Sequence, residues 1–412
     1  MLDALGAGLA GHDHPAVACV RKALATLPDR GEATVLASQE TFPAMHAVLL
    51  NGTLMQVHDL DEIHVESNSH PTVAVLPALL TAAEIGHAPG AELLAAFVVG
   101  YEAIVCIGRV IAPAQHARGW HVSSTLGSFG AAVAVARLLR LDPEGIRTAL
   151  NLAGTQAGGV RATFGSMTKH LHFGRAALNG LLAGVWAQAE VTAGADTLEH
   201  PLGFVAAAGG PIPAGAWGAG EPFGAVREAT FKRFPCCFEN HSAIQACLTL
   251  RAGGVTAQSI ASVEVRVRPE ILPLVGDGRP SSALAARFSL AHNVALSLAR
   301  GDVTLSDFAE APDAAPAVAD MRSRVLVVPD PLVAPDEAHV AVRDRDGRVR
   351  TARATYRGAA GAWRPEELEA KFMRHAVPVL GGAGAEALRD VVLGLESVSD
   401  SAEVTRACRA TR

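Results

Sequence analysis

The chain has 412 residues, of which 50% are hydrophobic and only 18% charged, and its net charge is −6. That length exceeds what one core ordinarily supports, so two domains are expected, and the composition excludes a disordered chain. The lack of a basic balance argues against nucleic acid as a partner.

The start, Met1 to Gly6, carries no basic region and no long apolar stretch, so no signal peptide is expected. Gly6, Gly8 and Gly11 satisfy a GxGxxG pattern but have no strand before them, so close helix packing is expected there rather than a dinucleotide site. The region 1–200 reads as helices. Ala91–Ile111 is apolar on a helical period, and Thr125–Leu141 continues in that manner. Asp142 and Pro143 mark the capped start of a helix over Glu144–Gly154, and Ala176–Ala193 predicts another. No uninterrupted apolar run reaches the roughly 18 residues of a membrane span, so none is expected.

The pattern changes near Phe231. Ser262–Arg268 alternates apolar and polar residues as a half-buried strand does, and Arg324–Val328 reads as a second. His339–Arg343 and Val349–Ala354 flank Asp344-Arg345-Asp346-Gly347 and predict a hairpin. Ala283–Arg300 reads as one helix, and the helical pattern returns from Pro365. The expected fold class is mainly α with an α+β insertion. A large all-helical domain (1–231 and 363–412) is interrupted by a smaller α+β lid domain (232–362). The six cysteines are scattered apart from the adjacent Cys236 and Cys237, and no CxxC pair occurs. That argues against a disulfide framework or zinc ribbon and suits a reducing cytoplasm.

Four segments concentrate chemistry. His58-Asp59-Leu60-Asp61-Glu62-Ile63-His64, followed by Ser69-His70-Pro71, is open to three readings: acid/base chemistry, a metal site, or a solvated helix end. His70 is the favoured proton-transfer residue, since Pro71 starts the next apolar helix. His121 precedes a Ser/Thr-rich helix start, which suits an anion. Arg161–Gly180 sets Arg161, Lys169, His170, His172 and Arg175 among Phe164, Met167, Leu171 and Phe173, as a partly buried cationic site would. Few acids lie nearby in sequence, and buried cations need an anion, so a substrate carboxylate is expected there. Lys232 to His241 lies at the expected domain junction, where substrate clefts are common.

Together NGT…HDLDE…SHP (51–71), GWHxSSTxGxFGAA (119–132), RATFGSMTKxLHFGRAAxNG (161–180), KRFPCCxxxH (232–241) and FSLxHxVAxSLxxGxVxLxxF (288–308) resemble the MmgE/PrpD family. The resemblance implies a helical domain with an α+β lid, a homodimer without cofactor or metal, and activity as a 2-methylcitrate dehydratase, cis-aconitate decarboxylase or iminodisuccinate epimerase. It implies catalytic roles for His70, His121, Lys169 and Asp59, with Asp59 orienting His70. Substrate contacts are expected from Lys232, Arg161, His172, His241, His292 and Cys237. Cis-aconitate decarboxylases carry a histidine where Cys237 stands and often a tyrosine where His292 stands. The family also begins some tens of residues earlier, so an N-terminal helix is expected to be missing. The expected function is a cofactor-independent hydro-lyase on a citrate-like polycarboxylate. An epimerase, a decarboxylase and an inactive small-acid-binding homologue are the alternatives, in that order.

Overall fold

The computed structural model describes residues 1–27, 30–210, 212, 217, 223–356 and 363–410. The first half is a layer of helices: α1 (Leu2–Ala10), α2 (Pro15–Leu24), α3 (Ala44–Gln56), α4 (Pro71–Gly86), α5 (Gly90–Ala117), α6 (Val122–Leu138), α7 (Pro143–Gly154) and α8 (Thr168–Gln188). The centre is α6, which packs on α4, α5, α7 and α8 and is buried everywhere except at Arg137. Its Ala, Gly and Val residues make it apolar on all sides, as a fully surrounded helix must be. Small residues set the spacing: a Cβ on Gly180 of α8 would fall 2.2 Å from Ala131 of α6. The GxGxxG glycines serve the same purpose. A Cβ at Gly8 would meet Leu36 at 2.6 Å, and one at Gly11 would meet the Leu54 carbonyl at 2.6 Å.

Asp142 caps α7 by accepting from the Gly145 N–H at 2.8 Å, as its sequence suggests. Two helices start earlier than expected, α6 at Val122 and α8 at Thr168, so His121 and Lys169 fall at helix starts rather than in loops. A two-residue ladder, β1 (Ala33–Thr34) with β2 (Thr41–Phe42), also interrupts the otherwise helical layer. By length and composition alone α5 could cross a membrane, but half of its apolar window is buried inside the fold.

The remaining strands are β3 (Ile260–Val267), β4 (Val325–Pro329), β5 (Glu337–Asp344) and β6 (Val349–Thr355), in the order β4-β3-β5-β6. β3 runs parallel to β4 and antiparallel to β5. The β5–β6 hairpin closes through Asp344, whose Oδ1 accepts the N–H groups of Asp346 and Arg348, with Gly347 at φ 85°. The helix expected over Ala283–Arg300 is two, Ala283–Ala286 and Leu290–Arg300, because Ser289 caps the second by accepting from His292. The break leaves Arg287 free to bond the His58 and Pro235 carbonyls at 2.8 and 2.5 Å.

Buried apolar residues form two main clusters. One draws on residues 4–225 and on Phe372, Leu380 and Leu388 of the long helix Pro365–Leu393. The other draws on residues 234–342 and covers one face of the sheet. The expected boundary at 362/363 lies outside the described residues.

Candidate active site

A cavity of about 520 Å³ opens where the helical layer meets the sheet-bearing unit. The helical side supplies Asp59 from just beyond α3, His70 and His121 from immediately before α4 and α6, Arg161 and Phe164 from the connection before α8, and Lys169 from its first turn. The other side supplies Lys232, Cys237, Glu239 and Phe288. Three helices therefore start at one place. α6 carries no side-chain cap at His121, so its first N–H groups and the positive end of its dipole face the cavity beside Ser123. That is a ready anion site.

Asp59 sits at φ 53°, a left-handed conformation uncommon for a residue with a Cβ. Its carboxylate is buried between two ammonium groups: Oδ1 lies 2.5 Å from Lys232 Nζ and Oδ2 2.9 Å from Lys169 Nζ. Gln56 adds a donor to Oδ1 at 3.1 Å. Burial alone would raise the Asp59 pKa, but Lys169, Lys232 and His70 outweigh it and hold the carboxyl well below its usual range. Burial likewise works against the Lys232 charge, and Asp59 and Asp61 overcome it, so its pKa is raised. Lys169 also lies over the Phe288 ring at 4.8 Å and the Phe164 ring at 5.5 Å. The expectation that a substrate carboxylate must supply the anion for Lys169 is thus corrected: Asp59, distant in sequence, serves Lys169 and Lys232 together. One carboxylate shared by two ammonium groups, with Arg161 alongside, still leaves positive charge for a substrate.

The expected Asp59–His70 orientation is corrected too. His70 Nδ1 donates to the Glu62 carbonyl at 2.9 Å, and the charge beside it is Asp61, with Oδ2 at 2.9 Å. The ring packs edge-on against Phe173, and its backbone N–H donates to Ser123. With the proton on Nδ1, the lone pair is on Nε2, which has no hydrogen-bond partner among the described residues.

His121 is held differently. Its Nδ1 lies 2.8 Å from Nδ1 of His172, and its ring is wedged edge-on between Phe164 and Phe173. Only one nitrogen of that pair can carry the proton between them. Burial, then the neighbouring His172 and Lys169, pull the His121 pKa well below its usual value, so both rings stay neutral. His172 is therefore a support behind His121.

Arg161 reaches the cavity with Nη1 donating to the His116 carbonyl at 2.9 Å, while its Nε is buried without a partner. Cys237 also lines the cavity, and burial pushes its thiol up to about 12, so it is protonated and no nucleophile. Cys236 behind it is buried as well. Three expected contacts do not line the cavity: His172, behind His121, and two more. His241 is buried, edge-on to Phe234 and tilted against Phe238. His292 lines a separate pocket, 3.3 Å from Arg322. Both belong to real motifs, but helical phase turns them away.

Two acids were missed. Asp61 lies in the HDLDE segment, where only the fold separates its role from that of Asp59. Glu239 lines the cavity, and burial raises its carboxyl to about 7 with Arg268 opposing. Its place within the segment 232–241 was the available signal. Asp59, Asp61 and His70 bring ligand atoms within 4.8 Å of one another. However, both Asp59 oxygens face ammonium groups and His70 Nδ1 is already bonded, so this donor set is a poor fit for a cation.

Comparison with known proteins adds relatives. The MmgE/PrpD N-terminal domain profile matches residues 1–213, and the MmgE/PrpD C-terminal domain profile matches residues 234–397. The cis-aconitate decarboxylase of Homo sapiens is 27% identical over 98% of this chain and 88% of its own length. That of Aspergillus terreus is 28% identical over 69% of this chain and 63% of its own. A cis-aconitate decarboxylase-like protein of Aspergillus oryzae is 34% identical over 46% of this chain and spans 41% of that protein.

Proposed function

Because this chain belongs to the MmgE/PrpD family, we propose that it is a cofactor-independent lyase acting on a small polycarboxylate, with proton transfer at a carbon next to a carboxylate. The observation that carries this is the buried Lys169–Asp59–Lys232 bridge in the same cavity as two differently held imidazoles.

Removing a proton next to a carboxylate places a second negative charge on that group, and preorganised cations lower the barrier. Lys169, Arg161 and the start of α6 are placed to hold that carboxylate. His70, with its lone pair on Nε2, takes the proton. For a β-hydroxy acid the C–H electron pair forms the new double bond as the C–O bond breaks. The leaving hydroxide takes a proton from an acid, and Glu239, protonated up to about pH 7, is suited to supply it. Water and an enoate result.

Decarboxylation of a cis-aconitate-like tricarboxylate is the second reading, favoured by the names of the relatives. Against it, Cys237 occupies a cavity position with a thiol too weakly acidic to replace an imidazole in proton transfer. Incubating the enzyme with a series of di- and tricarboxylates in D₂O and following the NMR spectrum tests both. Reversible alkene formation with water supports the hydro-lyase, and loss of CO₂ supports the decarboxylase. Exchange of an α-proton without an alkene replaces both with an epimerase. Binding without turnover or exchange would sink the enzymatic reading.

A further inference from the structure

A second, larger cavity of about 1320 Å³ lies outside the site just described. It is bounded by the α1–α2 connection (His12, His14), by His58, by Arg287 and Phe308 of the sheet-bearing unit, and by His375 on the long C-terminal helix. None of the proposed catalytic groups lines it.

Arg287 is the feature the fold leaves unexplained. It is one of the largest fully buried side chains, only 2% exposed. Its guanidinium donates to the carbonyls of His58 and Pro235 and to His58 Nδ1, and it lies 4.5 Å over the Phe308 ring. Its Nε has no partner, and among the described residues no carboxylate pairs with it. Lys169 and Lys232, equally buried, share Asp59. The carboxylate whose charge acts on Arg287 is Asp59, already held between Lys169 and Lys232, so the Arg287 charge is only weakly balanced. An anion in the adjoining cavity would offset it.

The neighbouring histidines fit that role. His14 Nδ1 accepts from the Ala16 N–H at 3.1 Å, so in the neutral ring Nε2 is left as a donor. Burial, then Arg287, lowers His14 to about 4. Burial, then Lys371 and Arg374, lowers His375 to about 4. Near pH 7 the wall therefore holds neutral donors and two guanidinium groups, with Asp13 the acid among its lining residues. Leu284, Leu305, Phe308 and Val379 make the rest apolar.

We propose that this cavity is a second ligand site, for an organic anion whose carboxylate or phosphate group faces Arg287 and His14 and whose apolar body lies against Phe308 and Leu284. Arg287 donates to the carbonyl of His58, the residue before Asp59.

The test uses the full-length enzyme with ¹³C-labelled histidine, each resonance assigned by a His→Gln variant. The probes are octanoate, octyl phosphate and octanol. Octanoate or octyl phosphate should shift the His14 and His375 signals saturably and raise the His14 pKa, and the tighter of the two names the head group. Octanol should bind at least tenfold more weakly. Arg287→Met should weaken anion binding at least tenfold. Should that variant fail to fold, Ala309→Trp, on the exposed lip, should block the probes while the histidine spectrum of the free enzyme is kept. Equal binding of octanol and the anions would overturn the proposal. So would shifts confined to His70, His121 and His172, which would place the anions in the first cavity.

Discussion

His70 and His121 face one cavity from the starts of neighbouring helices, yet they are held in opposite ways. His70 is backed by a carbonyl and by the Asp61 carboxylate, and its proton is fixed on the hidden nitrogen. His121 is backed by His172, a neutral partner that can give or take the shared proton. The same residue type thus becomes a committed base in one place and a donor or acceptor in the other. What separates the roles is the group behind each ring.

The largest effect is expected from the lysine bridge that shares their cavity. Asp59→Asn leaves two buried ammonium groups without a carboxylate, which should destabilise the fold by about 3–5 kcal/mol and abolish turnover. Urea unfolding measures this, and wild-type stability would show that the bridge does not form in solution. The pH dependence follows from the same pair. The folded-state Asp59 pKa is depressed, so its contribution is present above the ordinary carboxylate pKa and is lost as pH falls through the folded value. Acid unfolding of Asp59→Asn should lack that component.

His70→Ala should lower kcat by about 10²–10⁴-fold with KM little changed, as loss of a general base does. Asp61→Asn should cost less if Asp61 serves only to hold the ring. Equal losses in the two would make Asp61 a participant in proton transfer.

Glu239→Gln should remove the fall in rate above about pH 7 and cost roughly 10²-fold below it, if its proton reaches the leaving group. Its folded pKa is raised, so the folded chain keeps a proton that the unfolded chain releases. Stability should fall as pH rises from about 4.5, the unperturbed value, to about 7, and the substitution should flatten that slope.

The smallest effect sharpens the comparison most directly. His172→Phe keeps an apolar support behind His121 and removes the shared proton. A loss of about tenfold is expected, below the roughly 10²–10⁴-fold of a group that itself transfers the proton. Because His172 helps hold the His121 pKa down, its removal should move the acidic limb of the rate profile to higher pH. An unchanged profile would reduce His172 to packing.

Local chemistry made much of this legible in the sequence. The alternation in β3, the Asp344–Gly347 turn and the Asp142–Pro143 cap depend on near neighbours, and the structure has them. The polar segments around His70, His121, Lys169 and Lys232 stand out because charged groups among apolar residues need partners. For the two lysines, the partner is a group more than 100 residues away, which no local pattern records. Lys232 reaches Asp59 across 173 residues, and Arg287 reaches His58 across 229. The same limit explains why His241 and His292 were expected in the cavity. Residue type suits them to it, but direction along a helix is set only when the helix is packed. By itself the sequence determined the helices, the sheet and the residues that had to be buried with charge. The tertiary structure decided which acid holds which base, since electrostatic partnership is a matter of a few ångströms in space.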